Sequence, residues 1–384
     1  MNLPANIEWL SAPETKALCA ALTAQDDPVF FVGGCVRDAL LGVTGGDVDL
    51  STAALPEHVM QLAETAGLKA VPTGIDHGTV TVVSGGKGFE VTTFRRDVET
   101  DGRRAVVSFS TDIAEDARRR DFTLNALYAT PEGRVVDPLG GLDDCLNRRI
   151  RFIEDADARI REDYLRILRY FRFHAWYADE AFEADTLDAI TRNIAGLETL
   201  SAERVGAELM KLLAAPDPAP AVAAMRQTGS LAYVLPGSDD RFLAPLVHVE
   251  QLVDATADPI RRLAVLGGHD VAASLRLSRA QTRDLGRIKT ALESGQPLAE
   301  VAYRQSDEIA RDVALVHAAI AGQPVDKADL LAIDAASVAQ FPVAAADLMP
   351  AFEGPALGAR LAELEAMWIA SGFTLSREDL MTAD

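Results

Sequence analysis

The hydrophobic rhythm of the chain changes once. Up to about residue 150, short apolar runs of strand type alternate with short helical stretches. VFFVG (29–33) reads as a buried strand, and GCVRDALLG (34–42) as a helix opened by glycine. DVDLS (47–51) reads as a second strand, and PEHVMQLAETAG (56–67) as a helix with proline in its first turn. GTVTVV (78–83) and FEVTTFR (89–95) are β-branched runs separated by SGGKG, which predicts a hairpin. Residues 97–117 are charged and contain Asp101-Gly102, so an exposed, mobile loop is expected there.

From about residue 154 the period becomes helical. EDYLRILRYFRFHAWY, SAERVGAELMKLLAA and PAPAVAAMRQTGSLAYVL carry amphipathic stripes, and Pro236-Gly237 is a break. Residues 240–384 are Ala- and Leu-rich with acidic faces, as in a helical bundle. The predicted class is α+β: a small mixed-sheet head (1–150), a helical neck and body (151–235) and a helical tail (236–384). At 384 residues the chain is long enough for more than one core.

Composition adds compartment and solubility. With 48% hydrophobic and 25% charged residues, the chain is of ordinary soluble type, and no apolar run reaches the ~20 residues of a membrane span. The start, MNLPANIEWLSAPETK, lacks the basic-then-apolar pattern of a signal peptide. Cys19, Cys35 and Cys145 are far apart and lack metal-ligand spacing, so structural thiols in a reducing cytoplasm are expected. The net charge of −21 argues at first against a nucleic-acid partner. Its distribution modifies that. Residues 95–172 hold 16 arginines, no lysine and 16 acidic residues, so the whole deficit falls elsewhere. Arginine suits bidentate recognition of phosphates and base edges better than lysine does.

The candidate chemistry starts with Asp47 and Asp49. On a strand, residues two apart share a face, roughly 6.6–6.8 Å apart, which lets two carboxylates converge on a magnesium pair. A solvated strand end is the plainer reading of an isolated Asp-x-Asp. Gly33-Gly34 leads from strand to helix and lets the backbone approach an anion at the helix N-terminus, with Arg37 one turn in. Together these describe a triphosphate site. Glu90 would supply a third carboxylate, or else sit solvent-facing at a strand edge. Asp163 and Arg166 are three apart, so one helix would place them on one face, with Arg169 and Arg172 continuing the stripe and Leu165, Leu168 and Phe171 behind it. A salt-bridged helix surface would show the same spacing.

Five segments then resemble, in order, the motifs of class II tRNA nucleotidyltransferases, the CCA-adding enzymes and their bacterial poly(A) polymerase relatives. These are GGCVRDALLG with GDVDLS, RRRDFTLNALYA (118–129), VVDPLGGLDDCLNRRIRFI (135–153), REDYLRILRYFRF (161–173) and LSAERVGAELMKLL (200–213). They span more than half of the chain. The resemblance implies a nucleotidyltransferase head of the DNA polymerase beta type and addition of C-C-A to tRNA 3′ ends from CTP and ATP. Two Mg²⁺ ions on Asp47 and Asp49 are expected to hold the triphosphate, with Glu90 as a candidate further catalytic carboxylate. The resemblance implies base selection by Asp163 and Arg166, with Glu162 beside them, and a switch from CTP to ATP aided by residues 97–117. Arg120 would contact phosphate or sugar, Asp121 a ribose hydroxyl, and Asn125 belongs to the same motif; Arg118 and Arg119 read equally as surface charges.

Adenine and cytosine each present an amine beside a ring-nitrogen acceptor, which a carboxylate and a guanidinium can match; guanine and uracil reverse the pattern. Poly(A) polymerase is the enzymatic alternative, disfavoured by the absence of strongly basic extensions. A catalytically silent RNA-binding module would not need both aspartates. GGHD (267–270) offers one His-Asp pair without a partner set, so a metal-hydrolase site is disfavoured and His269 is expected at the surface. The tail is expected to hold the tRNA elbow; no protein partner and no membrane contact are expected.

Overall fold

The computed structural model describes all residues except Ala5, Gly102, Arg103 and Asp384, and leaves out the side chains of 97–107. Nine strands are present among the described residues. β1 (Val29–Val32), β2 (Leu50–Thr52), β3 (Lys69–Gly74), β4 (Thr79–Ser84), β5 (Lys87–Thr93), β8 (Tyr128–Ala129) and β9 (Val135–Val136) form one sheet in the order β3-β4-β5-β2-β1-β8-β9. Only β2 and β5 pair in parallel; the other neighbours are antiparallel. β6 (Arg95–Asp101) and β7 (Arg104–Phe109) pair separately as a two-stranded ribbon.

The helices of this region are α1 (Glu8–Ser11), α2 (Pro13–Leu22), α3 (Gly34–Leu41), α4 (Pro56–Thr65), α5 (Ile113–Arg118) and α6 (Leu142–Leu146). After them come α7 (Ala156–Glu162), α8 (Leu165–Tyr177), α9 (Ala184–Asn193) and α10 (Ala202–Leu213). Alternation explains the sheet: in β4, Val80 and Val82 point inward between half-exposed neighbours. Proline starts α2 and α4, where its missing N–H costs nothing. Val32, Phe94, Ala117, Ala126, Tyr128 and Ile153 form a core cluster that joins the sheet to α5.

Contacts divide the chain into two units. One comprises Met1–Glu208 with Ala224–Tyr233, the other Leu209–Ala223 with Val234–Asp384. The second unit is helical, apart from one bridge between Ser238 and Gly267 among the described residues. Its helices pack around Ile288, Ala291, Val301, Val313 and Ile333. Glu250, buried, takes Arg261 at 2.8 Å and Arg262 at 2.7 Å, so both charges enter the core paired. His269 is exposed, as expected.

Three local expectations change. DVDLS is not a strand throughout: β2 begins at Leu50, where the chain can pair with both β1 (Phe31) and β5 (Val91). Residues 97–117 contain strand and helix: β6 and β7 pair, and Asp112 caps α5 by accepting from Ala114 N at 2.8 Å. The ribbon stands outside the main sheet, so it needs no apolar alternation to be a strand pair. Gly102 of the Asp101-Gly102 step lies outside the described residues. The third change is at Asp163, which interrupts the helix expected to carry it.

Candidate active site

Asp47 and Asp49 lie in the extended approach to β2. Val48 between them is buried, Asp47 is exposed and Asp49 half-buried, so the strand alternation reaches back through both. Leu50 pairs in parallel with Val91, which places Glu90 at the register position next to Asp49. Burial pushes the Asp49 carboxyl above its usual range, reinforced by Glu90 and Asp47 and opposed by Arg120. Among the described residues, the side chains of Asp47, Asp49 and Glu90 make no hydrogen bond or ion pair. Hard carboxylate oxygens without a protein cation fit a magnesium ion. No three acidic, histidine or cysteine side chains among the described residues already converge on one point, so two carboxylates plus substrate phosphates are the donor set that fits.

Beside α3 lies a cavity of about 380 Å³. Gly33, Gly34, Arg37, Arg120, Asp121 and Asn125 line one part of it, and Asp163, Arg166, Arg169 and Phe173 the other. Gly33 caps α3 with φ +70°, and a Cβ there would lie 3.4 Å from Arg120 Nη1. Glycine thus leaves the α3 N-terminus open to an anion with a guanidinium beside it.

Arg37 and Arg120 are held differently. Arg37 is buried and held at all three nitrogens: Nε donates to Asp38 at 2.9 Å, Nη1 to Asn125 at 2.6 Å and Nη2 to the Tyr177 hydroxyl at 2.8 Å. Its guanidinium lies 5.1 Å from the Phe173 ring centre and 4.2 Å from that of Tyr177. Arg37 therefore lines the cavity as an anchor. Arg120 donates from Nη2 to Asp116 at 3.0 Å and from Nε to Tyr128 at 3.3 Å, which leaves Nη1 toward Gly33. Burial would raise the Asp116 carboxyl, but Arg120, Arg119 and the Tyr128 hydroxyl bring it down to about 2.

Asp121 and Asn125 form the floor. One Asp121 oxygen accepts from Arg169 Nε at 2.6 Å, with Nη2 at ion-pair distance (2.5 Å) from the same oxygen; the other accepts from Asn125 Nδ2 at 3.0 Å and Phe122 N at 2.9 Å. Three hydrogen bonds and the Arg169 charge thus hold this carboxylate in place, and one acceptor position stays open for a ribose hydroxyl. Arg172 turns to Glu208, donating from Nε at 2.6 Å. Arg172, Arg169 and Arg37 surround Phe173, with centroid distances of 4.5, 5.3 and 5.1 Å.

Asp163 sits between α7 and α8, with extended backbone (φ −153°, ψ 106°). Its Oδ1 accepts from Leu165 N at 3.1 Å and its Oδ2 from Arg204 Nη2 at 2.7 Å. Arg166, on the first turn of α8, donates from Nη1 to Glu162 at 2.6 Å and to the Arg159 carbonyl at 2.8 Å, and from Nη2 to the Arg119 carbonyl at 3.2 Å. Asp163 and Arg166 line the same cavity while each is held by a different partner. Arg166 keeps Nε and one Nη2 proton to donate. Leu165, Leu168 and Phe171 pack behind, as the spacing predicts.

Asp47, Asp49, Glu90, Glu162 and Arg172 do not line the cavity. Asp116, Tyr128, Phe173 and Tyr177, which hold the arginines, are not among the expected site residues. Nor are Arg204 and Glu208, although an Arg and a Glu four apart on an amphipathic helix mark a face with ionic partners.

Residues 29–151 match the family model "Poly A polymerase head domain", and 181–242 match "Probable RNA and SrmB- binding site of polymerase A". The chain is 33% identical over 374 residues to the mitochondrial CCA tRNA nucleotidyltransferase 1 of Danio rerio, covering 91% of this chain and 85% of the relative. It is 43% identical over 210 residues to the CCA-adding enzyme of Geobacillus stearothermophilus, a match spanning about half of each chain (54% and 50%). The CCA-adding enzyme of Bacillus stearothermophilus, solved in complex with CTP, superposes with TM-score 0.75 at 32% identity, over 93% of this chain and 92% of that one. The Thermotoga maritima CCA-adding enzyme shares the fold at TM-score 0.72 and 20% identity, over 99% and 98% of the two chains. The five motifs, the helix-opening glycines above an arginine-lined cavity and these likenesses agree: the chain belongs to the CCA-adding family of tRNA nucleotidyltransferases.

Proposed function

We propose that the cavity seats one CTP or ATP at a time while the chain adds C-C-A to the 3′ end of tRNA. The phosphates lie toward Gly33, Gly34 and Arg120, and the base meets Asp163 and Arg166. The observation that carries this reading is the opening of the α3 N-terminus, Arg120 and the Asp163–Arg166 pair into one cavity. Each Asp163 oxygen accepts one hydrogen bond within the protein, which leaves lone pairs for the amine of cytosine or adenine. The protons left on Arg166 can donate to the ring nitrogen. A good two-point contact of this kind discriminates by about 1–3 kcal/mol.

Asp47 and Asp49 would hold Mg²⁺, with Glu90 beside Asp49. Bound there, the metal supplies charge neutralisation on the triphosphate and a lower pKa for the RNA 3′-hydroxyl. That hydroxyl attacks the α-phosphorus in line, and pyrophosphate leaves without an enzyme-bound covalent intermediate. Arg120 stabilises the negative charge on the phosphates, and Asp121 and Asn125 keep the floor in place. The helical second unit is assigned to the body of the tRNA. Cys19, Cys35 and Cys145 are buried and unpaired, which supports a reducing, cytoplasmic setting; no described helix is long and apolar enough to cross a membrane.

The test is to incubate the protein with Mg²⁺, CTP, ATP and a tRNA transcript lacking its 3′ end, and to sequence the products. C-C-A followed by a stop is expected. Long A tails from ATP alone would replace this reading with the poly(A) polymerase one, whose name the matched head model carries.

A further inference from the structure

We infer that Gly196 and Arg204 are positioning residues for base selection, holding the break between α7 and α8 at which Asp163 is presented. This rests on the reading that Asp163 and Arg166 meet the base. Neither Gly196 nor Arg204 lines the cavity, so neither acts by touching the nucleotide.

The break needs external support. α7 ends at Glu162, Asp163 is extended, and Tyr164 (φ −61°, ψ −16°) turns the chain into α8. At the break only local bonds remain, from Leu165 N to Asp163 Oδ1 at 3.1 Å and from Arg166 N to the Asp163 carbonyl at 3.0 Å. Two contacts from distant positions add to them. Arg204, on α10 and 41 residues further along the chain, donates to Asp163 Oδ2 at 2.7 Å. This charge-assisted bond orients the carboxylate while leaving lone pairs for a base amine.

The second contact is steric. Gly196 lies in the short 3-10 turn Ile194–Thr199, and the Tyr164 ring rests directly on its backbone. A Cβ added at Gly196 would fall inside that ring, against Cγ, Cδ1 and Cε1. The Gly196 φ is not positive, so the backbone itself does not demand glycine. The ring does. Any side chain at 196 has to displace Tyr164, and Tyr164 is bonded to Asp163. The direction of the Asp163 carboxylate is thus fixed by a glycine 33 positions away in the chain.

Single-nucleotide addition with CTP, ATP, UTP and GTP tests this in Gly196→Ala, Tyr164→Leu, Gly196→Ala/Tyr164→Leu, Arg204→Leu and Arg204→Lys, with Asp163→Asn as reference. Asp163→Asn should lower the CTP-over-UTP preference roughly tenfold or more, because its amide can donate to uracil. Gly196→Ala and Arg204→Leu should lower it by a similar factor, mainly through KM for CTP, and Arg204→Lys should restore part of it. The double variant should be no less selective than Tyr164→Leu alone. An unchanged preference in Asp163→Asn would overturn the base-edge reading and this inference with it. Relaxed selectivity in Asp163→Asn with native selectivity in Gly196→Ala and Arg204→Leu would overturn the positioning role alone. If circular dichroism shows Gly196→Ala unfolded, the Arg204→Leu and Arg204→Lys pair decides on the same criterion.

Discussion

Arg169 donates from Nε to one oxygen of Asp121 at 2.6 Å, with Nη2 in ion-pair contact with the same oxygen at 2.5 Å, joining positions 48 residues apart. Held by Arg169, Asn125 and the Phe122 N–H, Asp121 is placed to act on the proposed nucleotide site through Arg169 and Asn125. Asp121→Ala is therefore expected to raise KM for both CTP and ATP by about tenfold, as for a lost charged hydrogen bond. The preference for ribo- over deoxynucleotides should not move. Steady-state addition with CTP and dCTP checks this, and a collapse of ribose discrimination would show a direct sugar contact.

Asp49 titrates above its usual range because it is buried and has Glu90 and Asp47 beside it. Its folded pKa exceeds its unfolded one, so its stabilising contribution is complete at low pH and is lost as pH rises through the folded value. At pH 7.5 and without metal, Asp49→Asn should raise Tm by about 1–3 °C. Mg²⁺ should raise the Tm of the parent and leave that of the variant unchanged, while nucleotide addition falls by about 10²–10³-fold. Thermal melts with and without Mg²⁺ provide a readout independent of turnover.

Asp116 shifts the other way. Its carboxyl is held down at about 2, so it stabilises the fold above the ordinary value of 3.8 and loses that contribution as pH falls toward 2. The difference corresponds to about 2 kcal/mol. In urea titrations, the parent should lose stability more steeply between pH 4 and pH 2 than Asp116→Asn does. Parallel curves would mean that Arg119 and Arg120 do not hold the carboxylate in solution.

A net charge of −21 leaves tRNA binding dependent on local arginine contacts with phosphate. KM for tRNA should rise by about tenfold or more between 50 and 200 mM KCl. KM for CTP should change much less, because its proposed contacts are partly buried. A flat salt response for tRNA would rule out a phosphate-led interface.

The sequence showed the outline of this site better than its joints. Strand β1, helix α3 and the β4–β5 hairpin follow from apolar runs and glycine punctuation, which are local signals. The start of β2 at Leu50 does not, because it depends on pairing with Phe31 and Val91. REDYLRILRYF has a helical period throughout, yet Asp163 breaks it, and the contacts that stabilise the break come from Gly196 and Arg204. At Arg37 only the spacing from Gly33 is visible in the sequence; Asp38, Asn125 and Tyr177, which hold its guanidinium, converge only in the fold.

Arg37, Asn125, Asp121 and Arg169 form one unbroken run of hydrogen bonds from α3 to α8. Such a run works as a tie-rod. The two walls of the cleft cannot part without breaking charged bonds in a buried setting, and they cannot close further without compressing them. A nucleotide bound as proposed would thus meet an opening of set width, which measures it as a gauge measures a part. A purine and a pyrimidine cannot fill that gauge identically, so the difference in their size must be absorbed at the base end, where Asp163 is held from outside.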